Sequence, residues 1–97
     1  MAIRYNQATL TRIEKIVEDA GYVIRYERGN FQSGYCILES KKVVVLNKFL
    51  QLEGRINTLI DLLPVFGINP DTLSSEHRKI YEEALGRVAA AAEQQAS

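Results

Sequence analysis

One cysteine, Cys36, and one histidine, His77, are the side chains of this 97-residue chain best suited to nucleophilic or acid–base chemistry. With Asp61 they would make the minimal set for a hydrolase, provided the fold brings all three within about 4–6 Å around an open pocket. Their local settings argue otherwise. A reactive thiolate needs a helix N-terminus or a neighbouring cation, and Cys36 falls between Tyr35 and Ile37 in a predicted strand. It reads as a small buried hydrophobe. His77 falls on the apolar stripe of the last predicted helix and reads as a partly buried side chain near that helix's start.

Metal and phosphate chemistry find no better footing. One Cys and one His cannot complete a zinc site alone, and the carboxylates lack ligand spacing, Glu53 and Asp61 being eight residues apart. Gly29 and Gly34 bracket a turn with no helix after it, unlike a phosphate-binding loop. The expectation is no catalytic residue, no metal and no cofactor.

Charge gives a different lead. Lysine plus arginine equals aspartate plus glutamate at twelve each, which argues against a protein committed to phosphate backbones or anionic lipid. The balance is locally uneven: Tyr22 to Arg55 carries plus three and Ile56 to Ser97 minus three. Within the basic part, Arg25, Arg28, Asn30, Phe31, Lys48 and Arg55 form a candidate interaction surface, where cations would meet an acidic partner and the aromatic would add contact area. Basic residues beside Tyr26, Phe31 and Tyr35 also fit a weak single-stranded nucleic-acid platform, although nucleic acid is the less expected partner.

These residues must be positioned by regular elements. Leu10, Ile13, Ile16, Val17 and Ala20 recur at helical spacing, predicting a helix over 6–20 capped by Asn6 or Thr9 and stopped by Gly21. Period-two alternation then predicts strands over 22–28 and 34–39, with Gly29-Asn30 as a turn. "VVVLN" over 43–47 is a third strand, apolar enough to be covered on both faces. Phe49, Leu52, Ile56, Leu59, Ile60 and Leu63 form the stripe of a helix over 51–63, ended by Pro64. A last helix over 75–92, capped by Ser74 or Ser75, precedes a tail at 93–97 with nothing large to bury.

Two resemblances attach to these segments. "SGYCILESKKVVVLNKFLQLEGRINTLIDLL" (33–63) resembles the strand-strand-helix segment of ImmA/IrrE-type zinc metallopeptidases. In that family the helix carries His-Glu-x-x-His, and alignment at Arg55-Ile56 puts Ile60, Asp61 and Pro64 at those positions. Both histidines are absent, so the resemblance implies a shared arrangement without peptidase activity. Residues 22–63 also resemble a group of short uncharacterised bacterial proteins with the pattern Arg-Tyr-Glu-(Arg/Lys)-Gly-Asn-Phe-x-Ser-Gly-Tyr-Cys, here "RYERGNFQSGYC" from Arg25 to Cys36.

The fold expected is α+β, ordered α-β-β-β-α-α, a single domain with a three-stranded antiparallel meander and helices packed mainly on one face. A chain this small gains by pairing with a copy of itself, through the apolar third strand or the last helix. A lone cysteine and the absence of an apolar leader or long apolar run predict a cytoplasmic chain with no membrane association. The function expected is non-enzymatic: an interaction or regulatory protein acting through protein–protein contacts.

Overall fold

The computed structural model describes residues 3–28 and 35–96, with side chains described except at 35, 36, 39 and 91–96. The first helix, α1 (Gln7–Asp19), begins where Asn6 accepts a 2.9 Å hydrogen bond from the Thr9 backbone N–H. It ends in a paired cap, with the Gly21 N–H donating to the Glu18 carbonyl and the Tyr22 N–H to the Val17 carbonyl. Gly21 has a φ of +94°, a backbone region that glycine enters at no steric cost. The chain therefore turns directly from α1 into β1 (Val23–Glu27). Asn6→Ala is expected to lower unfolding free energy by about 1 kcal/mol, measured by urea denaturation, with the fold retained.

The sheet is mixed. β2 (Tyr35–Leu38) pairs antiparallel with β3 (Val43–Asn47), as expected for consecutive strands, but β1 pairs parallel with β3, giving the order β1-β3-β2. The antiparallel meander is thus corrected. β3 is the most apolar strand, and the centre of a sheet is where a strand is covered on both faces and paired along both edges. Val44 and Leu46 are fully buried against the helices and Val45 is buried on the opposite face. Because β1 and β2 fill both edges of β3, that strand offers none to a partner. The Gly29-Asn30 turn lies outside the described residues, but the strands it separates are not paired with each other.

A three-residue 3₁₀ turn, Glu39–Lys41, joins β2 to β3, with Lys42 at a φ of +53°. Helix α2 (Leu52–Leu62) stops just before Pro64, and a 3₁₀ turn over Leu63–Phe66 carries the chain to Gly67, which is left-handed at +65°. Asn69 caps a second short turn (Pro70–Thr72), and the Ser74 hydroxyl accepts from the His77 N–H where α3 (Ser75–Ala96) begins. α3 continues through Ala96, past the expected end at 92.

The core lies between the inner sheet face and the helices. Leu10, Ile13, Ile16, Val17, Leu46, Ile56, Leu59 and Leu63 are buried in one cluster, closed by Tyr81 and Ala84 of α3. Tyr22 packs its ring on Phe66, centroids 4.7 Å apart, and so ties the α1–β1 junction to the turn after α2. The outer sheet face is more open, with Val23 and Leu38 exposed. Helices on one face of an α+β sheet were legible from the apolar stripes; the strand order was not.

Candidate interaction site

Parallel pairing brings the ends of β1 and β3 together. The last ladder pair is Glu27 with Asn47, and the Lys48 N–H continues it with a 3.0 Å hydrogen bond to the Glu27 carbonyl. Arg28 therefore emerges beside Lys48-Phe49. In a meander, β2 would stand between those two strand ends.

The turn after β3 decides where Phe49 points. The Asn47 side-chain oxygen accepts from the Phe49 N–H at 2.9 Å, and the Asn47 carbonyl accepts from the Leu50 N–H at 3.0 Å. This Asx-type turn delays α2 until Gln51, its N-cap. Phe49 is thereby removed from the helical stripe in which its spacing had placed it. It is 66% exposed, the most exposed large hydrophobic residue described. Two cations converge on its ring, the Arg28 guanidinium carbon at 5.7 Å and the Lys48 Nζ at 5.4 Å from the centroid.

Behind this turn stands a half-buried support. Arg55 reaches back from α2, its Nε donating to the Leu50 carbonyl and an Nη to the Lys48 carbonyl, both at 2.9 Å. The same guanidinium lies 4.5 Å from the centroid of Tyr26. The Tyr26 hydroxyl donates to the Glu14 carboxylate on α1. Burial pushes the Tyr26 ionisation well above the ordinary tyrosine value, the hydrogen bond to Glu14 and the negative charge there add to it, and Arg55 pulls the other way. A chain of contacts thus runs from α1 through β1 and α2 to both residues flanking Phe49.

The expected surface residues divide accordingly. Arg28 and Lys48 meet at Phe49, whereas Arg55 acts on backbone carbonyls and holds the turn. Arg25 is exposed on the outer sheet face in a 2.6 Å ion pair with Glu27. Asn30 and Phe31 lie outside the described residues. Phe49 is the residue that sequence reading missed as a surface feature; the available signal was an asparagine closing a strand, which favours an Asx turn over immediate helix entry.

No family model, curated protein or solved structure matches the chain. Its own geometry must carry the functional reading.

The hydrolase set is dispersed over separate elements. Asp61 is exposed on α2, and His77 is half-buried in the first turn of α3. The backbone of Cys36 pairs with Val45, and its side chain lies outside the described residues. Neither Asp61 nor His77 lines the cavity between α1 and α3, the one beside Gly67 or the one at the start of β1. Among the described residues, no group of three His, Cys, Asp or Glu side chains could hold a metal ion. At the three positions aligned with the metallopeptidase motif, Ile60 is buried in the core while Asp61 and Pro64 are exposed. Also among the described residues, no helix is long and apolar enough to cross a membrane.

Proposed function

We propose that the chain is a non-enzymatic cytoplasmic interaction or regulatory protein that docks an acidic segment of another protein on the surface centred at Phe49. The observation that carries this reading is an exposed aromatic ring, flanked by Arg28 and Lys48 and presented by a turn that Arg55 pins from behind. An aromatic anchor beside cations is the composition of an interface hot spot, with the ring supplying buried area and the cations selecting a carboxylate-bearing partner. The lone cysteine supports a reducing compartment.

A cation-flanked ring also supports a second reading, stacking of a nucleic-acid base, against which the zero formal charge weighs. In-cell crosslinking in the native host followed by mass spectrometry separates the two. Acidic protein segments crosslinked near Phe49 are expected, with Phe49→Ala weakening the captured complex by about 30-fold and Lys48→Glu abolishing it. Val65→Ala, at another exposed apolar residue, should change nothing. Identical crosslinks from Phe49→Ala would remove the protein-docking reading. Oligothymidine binding that requires Phe49 and collapses with added salt would replace it with the nucleic-acid one.

A further inference from the structure

A second feature lies away from the Phe49 surface, where the segment before α1 and the first turn of that helix face α3. A cavity of about 290 Å³ opens there. Its apolar side is formed by Ile3 and Ile80, and Arg4, Arg12 and Lys79 also line it, with Glu83 the one carboxylate among the nine lining residues. We propose that this cavity binds a small organic anion, a carboxylate or phosphate carried on a short apolar group.

The lining is held in place by contacts within and beside the cavity. Tyr5 follows Arg4 directly, and its hydroxyl donates to the Asn57 side chain at 2.7 Å while accepting from Arg87 at 2.6 Å, which anchors that segment on α2 and α3. Asn6, the next residue, is committed to capping α1. Arg12 is oriented by a 2.7 Å ion pair with Glu76, which leaves the rest of its fork of donors for another acceptor. Arg4 and Lys79 are exposed and have no acidic partner among the described residues. Three cations around a partly apolar floor favour an anion, and the isoleucines favour one with a hydrocarbon part. The volume sits at the small end of ligand cavities, so a metabolite-sized group fits and a cofactor does not.

The test is an amide-resolved NMR titration of the full chain with hexanoate and hexyl phosphate, and with hexylammonium as the charge-reversed control. Saturable shifts at Ala8, Thr9, Lys79 and Ile80 are expected, with a dissociation constant of about 1 mM for a probe of this size. The tighter of the two anions identifies the preferred headgroup. Lys79→Glu should weaken binding about fivefold, and the Arg4→Glu, Lys79→Glu double variant further, with thermal unfolding unchanged. Since both residues are exposed, loss of fold is not expected to confuse the result; Lys79→Gln and Arg4→Gln give the milder comparison. Shifts that fail to saturate, equal shifts with hexylammonium, or full affinity in the folded double variant would overturn the proposal.

Discussion

Replacing Leu46 by alanine is expected to remove about 2–5 kcal/mol of stability, the largest loss from any single truncation considered for this chain. Leu46 is fully buried at the centre of the inner sheet face, paired with Tyr26 on one side and Tyr35 on the other. Truncation leaves a cavity between sheet and helices that neighbours on both strands hinder from collapsing. A domain of this size has a total stability of roughly 5–15 kcal/mol, so the variant would stand near the margin. Urea denaturation checks it: the midpoint should fall with the slope preserved. A loss below about 1 kcal/mol, the scale of a surface substitution, would contradict β3 as the central strand.

The second large effect is at Arg55. Arg55→Ala should cost about 2–3 kcal/mol, because two charge-assisted hydrogen bonds to carbonyls are lost at a partly exposed site, and it should release the turn that presents Phe49. Arg55→Lys is expected to recover only part of this, since an ammonium cannot reproduce the planar fork or its stacking on Tyr26. The partner of the arginine brings a pH dependence. The folded state holds the Tyr26 proton more tightly than the unfolded chain does, so this residue adds no pH dependence to stability well below about pH 10, where the free phenol titrates. Above that value the unfolded chain loses its proton first, and stability falls as pH rises. Tyr26→Phe should flatten this alkaline limb in denaturation midpoints measured between neutral and alkaline pH. An unchanged limb would assign it to another group.

How much of this was legible in the sequence depended on the range of the interaction concerned. The boundaries of β3, the stop at Gly21 and the break before Pro64 are set within a few residues of themselves, and periodicity and cap chemistry read them directly. The cap of α1 is narrowed to Asn6 or Thr9, and the structure selects Asn6. Strand order depends on which distant segment wins the edge of β3. Alternation in β1 gives its buried face but is silent about its neighbour. Phe49 illustrates the same limit at short range: its spacing suits the α2 stripe, yet the Asn47 side chain captures the Phe49 N–H and diverts it. Arg55 reads as one more surface cation until its carbonyl partners are seen. Arg28 and Lys48 could be named as contact residues from charge alone, but their convergence required the parallel register.

That register also has a kinetic meaning. Leu38 and Val43 pair across a short turn, whereas Val23 and Val43 are partners 20 residues apart in the chain. Loop-closure entropy penalises the second contact more than the first. The β2–β3 hairpin with α2 is therefore expected to form early and α1 with β1 to join it afterwards, an order that φ-values near one at Leu38 and near zero at Val23 would support. The Arg28–Lys48–Phe49 cluster spans that late junction, so its assembly reports on completion of the fold: a chain whose N-terminal arm has detached would still possess Phe49 but would no longer hold Arg28 against it.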